Sequence, residues 1–226
     1  MESDERQVIP CENRGLIIDP SKGKHVCTLI WLHGLGDSAE GFRDFFTASN
    51  SPAPADARVR LLTAPRAKVT ANNYRYFNSW YDIATFDDLE KESVGMEEVI
   101  ANSIEIKKVI EEEVKLLGGD YKKIAIGGFS QGCAMSLHVG LSYGDKLGCI
   151  IGLSGYLFPS TELQEKNPPI LLVHGTDDET IPLSSAMYLY GRDDFIKREG
   201  VKFEKIGGME HEIFPEVIEH VFDALL

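Results

Sequence analysis

The sequence at 128–132 has the G-x-S-x-G spacing of a nucleophilic serine, with Ser130 at its centre. A predicted strand at 122–127 precedes it and a predicted helix at 131–143 follows it. A sharp turn between strand and helix would bring side chains two residues either side of the serine against neighbouring backbone, and glycine avoids that collision. The amide of Gln131, at the helix N-terminus, would stabilise negative charge on a substrate oxygen. The pattern predicts acyl transfer by Ser130; the alternative is a serine in an ordinary βα turn.

A serine nucleophile needs a histidine base and a carboxylate that orients the histidine. In a strand, turn and helix site of this kind the chain order is serine, acid, histidine. Once an acid after Ser130 is chosen, His211 and His220 remain as candidate bases. His211 lies in a predicted loop at 207–211, whereas His220 falls in a predicted helix. We therefore expect His211 to be the base.

The acid is expected directly after a strand, and the apolar run at 168–175 leads to Asp177 and Asp178. The residue types do not decide between the two, because either carboxylate could accept the Nδ1 proton of the histidine. A metal site made of His174 and the two aspartates is an alternative, but no second cluster of ligands accompanies it. We expect no metal here and a structural role for His174.

A second donor to the substrate oxygen should follow an early strand. The run at 26–32 leads into His33-Gly34-Leu35-Gly36, which resembles the H-G loops of esterases, and the amide of Leu35 is the candidate donor. Residues 34–39 also match the G-x-G-x-x-A dinucleotide fingerprint. The next predicted strand, 59–63, ends without an acidic residue to hold a ribose hydroxyl, so this alternative lacks its required partner.

The elements that position these groups are short apolar runs that alternate with amphipathic stretches. This pattern is typical of an α/β fold with a mostly parallel central sheet and helices on both faces. Strands are predicted at 15–18, 26–32, 59–63, 122–127, 148–153, 169–174 and 201–206. Helices are predicted at 40–48, 96–117, 131–143, 184–199 and 215–225. The acidic run 111–113 is assigned to the solvated face of its helix.

The composition indicates one folded domain: 226 residues, 43% hydrophobic and 26% charged. The net charge of −13 argues against nucleic acid as a partner. The N-terminus is acidic and no run of about 18 apolar residues occurs, so neither a signal peptide nor a transmembrane segment is expected. The four cysteines show no paired spacing, which favours free thiols. A cytoplasmic protein is the expectation.

Two segments stand apart from this pattern. Residues 1–13 are interpreted as a flexible N-terminal extension to a domain at 14–226; no acylation is assigned to Cys11. Residues 64–93 are rich in aromatics without helical or strand periodicity, which is typical of a lid or a substrate-lining loop. A loop that simply packs on the surface is the alternative.

With these motifs assembled, the chain resembles the acyl-protein thioesterase and carboxylesterase family of small cytosolic α/β-hydrolases, also described as lysophospholipases. The resemblance runs from about residue 29 to the C-terminus. Its most specific segments are Leu32-His33-Gly34-Leu35-Gly36-Asp37, Ser79-Trp80-Tyr81-Asp82, Gly127-Gly128-Phe129-Ser130-Gln131-Gly132, Leu153-Ser154-Gly155-Tyr156-Leu157, His174-Gly175 with Asp178 and Pro182, and Gly208-Met209-Glu210-His211. It implies Ser130 as nucleophile, His211 as base, Asp178 as acid, and the Leu35 and Gln131 amides as the oxyanion hole.

Three functions are compatible with these residues. The first is hydrolysis of acyl thioesters on S-acylated, for example palmitoylated, proteins, with transient membrane contact and no cofactor. The second is a general carboxylesterase or lysophospholipase acting on small lipid esters. The third, a binding protein on a hydrolase scaffold, is disfavoured because all three catalytic residue types are present. Six residues near the motif loops are candidates for an apolar groove that holds the acyl chain, and a core position is the alternative for each: Leu35, Trp80, Leu157, Phe158, Ile181 and Met209.

Overall fold

The computed structural model describes residues 6–11, 15–48, 51, 53–85 and 94–213. Its centre is an eight-stranded sheet in the order β1-β2-β4-β3-β7-β8-β9-β10, and a separate hairpin pairs β5 with β6. The strands are β1 (Val8–Cys11), β2 (Gly15–Ile18), β3 (Cys27–Leu32), β4 (Ala57–Leu62), β5 (Arg66–Val69), β6 (Arg75–Asn78), β7 (Ile124–Phe129), β8 (Cys149–Leu153), β9 (Ile170–Gly175) and β10 (Val201–Ile206).

The six strands from β4 to β10 in the sheet are parallel, while β1 and β2 add an antiparallel edge. Consecutive side chains of a strand point to opposite faces, and β3 shows this. Ile30 and Leu32 join the core on one face of the sheet, and Leu29 and Trp31 join the core on the other. Because parallel strands end at the same edge, the loops after β3, β7, β9 and β10 are brought together there.

In the described part of the chain, four α-helices accompany the sheet: α1 (Arg43–Thr47), α2 (Met96–Leu116), α3 (Gln131–Leu141) and α4 (Leu183–Tyr190). Helix α3 is buried on nearly all sides and packs against β3, β7, β8 and α2. Within the described ranges, no helix is both long and apolar enough to cross a bilayer. The predicted fold class, an α/β fold with a mostly parallel sheet and helices on both faces, is confirmed.

The structure adds two elements that were not predicted and shortens one predicted helix. Val8–Cys11 forms an edge strand within the predicted flexible extension; its Pro10 lacks an N–H and is tolerated because β1 pairs on one side only. The predicted helix 184–199 ends at Tyr190, because Asp193 and Asp194 adopt left-handed backbone (φ 48° and 54°) and leave only a short 3₁₀ segment. The hairpin β5 to β6 occupies part of 64–93, the candidate lid or substrate-lining segment, of which 86–93 lie outside the described residues. The predicted helix 215–225 lies outside the described residues.

Glu113 of α2 was predicted to be solvated, yet its side chain is fully buried. It pairs with the Arg60 guanidinium of β4, and it accepts a hydrogen bond from Thr28 Oγ1 of β3 at 2.9 Å. Arg58 and His25 lie 3.7 Å from the same carboxylate. Because an isolated buried charge is costly, these partners must compensate it. The network therefore ties the C-terminal half of α2 to the sheet.

Glu113→Ala should lower the free energy of unfolding by about 3–5 kcal/mol, because the buried Arg60 guanidinium loses the buried carboxylate to which it donates a hydrogen bond. Glu112→Ala is the matched control. The Glu112 side chain is exposed, and its carboxylate lies 3.7 Å from Arg60, which is too long for a hydrogen bond. We therefore expect a loss of about 1 kcal/mol or less. Urea denaturation of both variants measures the difference. Equal losses in the two variants would contradict a structural role for the buried pair.

Candidate active site

Ser130 lies at the junction of β7 and α3 with a backbone conformation of φ 55° and ψ −117°. Non-glycine residues rarely adopt this region, and such strain is typical of functional turns. The turn is tight: a Cβ on Gly128 would lie 2.5 Å from the backbone of Gly132, and a Cβ on Gly132 would overlap the Leu32 carbonyl oxygen. Both glycines of the motif are therefore required by the close approach of the neighbouring backbone.

The loops at the carboxyl edge bring three of the predicted residues into one chain of hydrogen bonds. His211, in the loop after β10, has its Nε2 2.9 Å from Ser130 Oγ. Its Nδ1 lies 2.8 Å from Asp178 Oδ2, in the loop after β9. With the proton on Nδ1, the ring donates to the carboxylate and its Nε2 can accept the serine proton. The other candidate base, His220, lies outside the described residues.

Asp178 is buried and held from several sides. Its Oδ1 accepts hydrogen bonds from the amides of Thr180 at 2.9 Å and Ile181 at 2.7 Å. Burial alone would raise the pKa of Asp178, but hydrogen bonds from His174, His211 and the Ile181 amide outweigh it and hold the pKa well below the ordinary value. The carboxylate therefore stays ionised, as a partner of an imidazolium must.

Asp177 is in a different environment, since its side chain is exposed and accepts a hydrogen bond from Thr176 Oγ1 at 2.7 Å. His174, by contrast, is fully buried: its Nε2 lies 2.8 Å from the Ile181 carbonyl oxygen and 3.4 Å from Asp178 Oδ2. Over the described ranges, no group of three or more metal-ligating side chains occurs. His174 thus lies behind the acid and supports its position.

The two candidate oxyanion donors face the same site. Leu35 follows β3, Gln131 is the first residue of α3, and both line the cavity that contains Ser130 and His211. Neither amide donates a hydrogen bond to any described residue, so both are free to bind a substrate oxygen. The loop before Leu35 is held by His33, whose Nε2 accepts the Ala64 amide at 3.0 Å. Burial lowers the pKa of His33, which keeps the ring neutral for that role.

The cavity beside Ser130 has a volume of about 330 Å³. Its described lining is mostly apolar and comprises Gly34, Leu35, Asp37, Tyr81, Ile83, Phe129, Ser130, Gln131, Tyr156, Thr180, Ile181 and His211. Tyr81 and Tyr156 share a hydrogen bond of 2.7 Å between their hydroxyls, so these polar atoms are paired with each other. An apolar cavity with a reactive hydroxyl at its wall suits a hydrocarbon chain attached to a carbonyl.

The six predicted groove residues divide into two groups. Leu35 and Ile181 line the cavity, whereas Trp80, Leu157, Phe158 and Met209 do not. These four are buried in the packed core: the first three lie in the cluster that contains α2 and α3, and Met209 lies in the cluster on the opposite face of the sheet. Phe158 packs against Tyr81 with ring centroids 5.0 Å apart, and so lies behind the cavity wall.

Sequence reasoning missed several lining residues, namely Tyr81, Ile83, Phe129, Tyr156 and Thr180. Their proximity to motif positions was the available signal, since Tyr81 adjoins Trp80 and Phe129 adjoins Ser130. A second nucleophile, Cys133, is fully buried below the turn, and burial raises the pKa of its thiol to about 12. It therefore stays protonated and does not compete with Ser130.

Residues 13–225 match the family model described as phospholipase/carboxylesterase. Acyl-protein thioesterase 1 of Schizosaccharomyces pombe is 38% identical over 183 residues, covering 77% of this chain and 79% of that protein. Acyl-protein thioesterase 1 homolog 1 of Dictyostelium discoideum is 34% identical, covering 86% of this chain and 87% of that protein. The crystal structure of Arabidopsis thaliana SOBER1 is 28% identical with a TM-score of 0.71, covering 88% of this chain and 97% of that one.

The family match spans nearly the whole chain, and the relatives align over most of their own length. The family predicted from the sequence motifs is therefore confirmed. The chain belongs to the phospholipase/carboxylesterase family, and it is a serine hydrolase with the α/β-hydrolase fold.

Proposed function

We propose that this enzyme hydrolyses acyl thioesters on S-acylated proteins, with Ser130 as nucleophile, His211 as base and Asp178 as acid. The observation that carries the proposal is the hydrogen-bonded series Asp178, His211 and Ser130, which opens onto the apolar cavity. Relatives named acyl-protein thioesterases, up to 38% identical to this chain, support the substrate class. We place the activity in the cytoplasm, with transient contact with the membranes that carry such substrates.

The first half of the reaction forms an acyl-enzyme. His211 Nε2 accepts the Ser130 proton while Oγ attacks the acyl carbonyl carbon. The carbonyl oxygen becomes an oxyanion, which the amides of Leu35 and Gln131 stabilise. The tetrahedral intermediate then breaks its carbon–sulfur bond, and the departing cysteine takes up the proton from His211. The acyl chain remains on Ser130, with its hydrocarbon part in the cavity.

The second half releases the fatty acid. His211 Nε2 removes a proton from a water molecule, whose oxygen attacks the acyl carbonyl, and the same two amides again stabilise the oxyanion. The carbon–Oγ bond breaks and His211 returns the proton to Ser130. Asp178 keeps the imidazole oriented and stabilises its positive charge through both halves. The proposed chemistry uses only side chains, two amides and water.

A second candidate is a general carboxylesterase or lysophospholipase, supported by the family description and by the same catalytic geometry. The bond differs, but an oxygen ester would be attacked in the same way. Substrate selection would then depend on how the cavity and its rim receive the leaving group rather than on the triad.

The ratio of kcat/KM values separates the two candidates. We expect the kcat/KM for a palmitoyl-thioester peptide to exceed the kcat/KM for lysophosphatidylcholine by about tenfold or more. A tenfold ratio corresponds to about 1.4 kcal/mol of transition-state discrimination. The same peptide acylated through serine oxygen is the matched substrate control, and Ser130→Ala supplies the background rate. A higher kcat/KM on lysophosphatidylcholine would assign the enzyme to the second candidate.

A further inference from the structure

The segment 79–81 connects the two loops that carry the candidate oxyanion donors. On one side, the Trp80 indole Nε1 donates a hydrogen bond of 2.9 Å to the carbonyl oxygen of His33. That carbonyl lies two residues before Leu35, in the loop after β3. The indole ring also packs on the His33 ring, with centroids 5.3 Å apart. Trp80 therefore holds the first oxyanion loop from behind.

On the other side, the same segment holds Gln131. The Trp80 amide donates to Gln131 Oε1 at 2.8 Å, and Gln131 Nε2 donates to the Tyr81 carbonyl oxygen at 2.8 Å and to Ser79 Oγ at 3.1 Å. The Gln131 side chain is thus fully engaged inside the protein, while its own backbone amide donates to none of the described residues. Its side chain is consequently a structural bridge, which leaves the amide as the group of Gln131 that the proposed mechanism uses.

The bridge is itself fixed to the rest of the molecule. Asn102 of α2 donates from Nδ2 to the Trp80 carbonyl oxygen at 2.6 Å, and the Ser79 amide donates to the Pro65 carbonyl oxygen at 3.0 Å. The hydrogen bonds from Trp80 to the His33 carbonyl and to Gln131 Oε1 are buried, so leaving one of them unmade would be costly. The amides of Leu35 and Gln131 are therefore connected through one short, buried path.

We propose that Trp80 is a positioning residue that sets the spacing of the two oxyanion amides by bridging His33 and Gln131. This role rests on the proposed catalytic use of Leu35 and Gln131, and it replaces the groove role predicted for Trp80. Oxyanion stabilisation requires donors placed before the reaction, and displacement by about 1 Å can cost about 100-fold in rate. Loss of the indole N–H leaves the His33 carbonyl oxygen without that donor and loosens one of the two loops.

Trp80→Phe tests the role, because it removes the N–H and keeps an aromatic ring. We expect kcat on p-nitrophenyl octanoate to fall about 10- to 100-fold with KM within about threefold, since the interaction serves the transition state. The affinity for a trifluoromethyl ketone, which forms an oxyanion adduct with the serine, should fall by a similar factor. Hydrolysis of p-nitrophenyl octanoate reports the serine chemistry whether or not acylated proteins are the natural substrate. A failure of the proposed substrate class would therefore not be mistaken for a failure of the role of Trp80.

Trp31→Phe is the matched control. Trp31 lies in β3, two residues before His33, and is equally buried, but its Nε1 has no partner among the described residues. It should keep kcat and inhibitor affinity within about threefold of the wild type. Equal effects of the two substitutions would overturn the positioning role, and so would a folded Trp80→Phe protein with wild-type kcat and inhibitor affinity.

Gln131→Met tests the opposite end of the bridge, because it removes the carboxamide and keeps the backbone amide. We expect the same pattern, a lower kcat with an almost unchanged KM and weaker trifluoromethyl ketone binding. If Trp80→Phe does not yield folded protein, Gln131→Met becomes the deciding variant. A wild-type kcat in Gln131→Met would overturn the proposal, and a loss confined to kcat and inhibitor affinity would support it.

Discussion

Ser130→Ala should lower kcat by about 10⁶-fold, because it removes the atom that forms the acyl-enzyme while leaving the rest of the site in place. Residual rate above that of water would come from the two oxyanion amides and the cavity. The fold should persist, since the substitution deletes one hydroxyl whose partner, His211, is only partly buried. The measurement is kcat on p-nitrophenyl octanoate, together with covalent labelling by a fluorophosphonate.

Ser136→Ala provides the control for this result. Ser136 lies on the same helix, α3, and its buried Oγ has no partner among the described residues, so its removal should leave labelling and kcat unchanged. Labelling that persists in Ser130→Ala, or that disappears in Ser136→Ala, would refute the assignment of Ser130 as nucleophile.

Asp178→Asn should lower kcat by about 10⁴-fold. The amide NH₂ of asparagine can donate to Nδ1, which stabilises the tautomer with its proton on Nε2, and that tautomer cannot accept the Ser130 proton. Asp177→Asn is the matched control next to it in the chain, because the Asp177 side chain is exposed and contacts Thr176 instead of His211. We expect Asp177→Asn to stay within about threefold of the wild type. The reverse ranking would make Asp177 the acid.

The Asp178 carboxylate also makes the stability of the fold depend on pH. Its pKa in the folded protein is lower than the value near 3.9 expected for an unfolded chain, so ionised Asp178 stabilises the fold above that pH. The contribution is lost as the pH falls from there through the lower folded-state pKa. Between pH 7 and the acid range, the wild type should therefore lose an increment of stability that Asp178→Asn lacks, measurable by urea denaturation at each pH.

Much of the fold follows from local pattern. The seven predicted strands agree with β2, β3, β4, β7, β8, β9 and β10 within about two residues, because apolar β-branched runs bury on both sides of a parallel sheet. Three features were missed: the edge strand β1, the hairpin from β5 to β6, and the break after α4. The edge strand β1 has no fully buried side chain, so its apolar pattern is weak. The break at Asp193 and Asp194 depends on left-handed backbone conformations, which aspartate tolerates but which no sequence pattern indicates.

The residues of the site also divide into those that local sequence indicates and those that need the tertiary structure. Glycine at 128 and 132 and the chain order of serine, acid and histidine are local or topological properties, and they allowed Ser130 and His211 to be singled out from the sequence. The choice between Asp177 and Asp178 was left open by residue type and came only from family resemblance. The structure separates them by burial and by which carboxylate reaches His211.

The sequence by itself therefore determined the fold class and singled out Ser130 and His211, because these depend on short-range sterics and on the order of strands. Resemblance to a known family supplied the family and the choice of Asp178. Only the tertiary structure decided which apolar residues line the cavity, that Trp80 bridges two loops, and that Glu113 is buried. An apolar or charged side chain has the same local pattern in a core, a groove or an ion pair. Its role is set by which distant segments pack against it, and those contacts form only when the chain is folded.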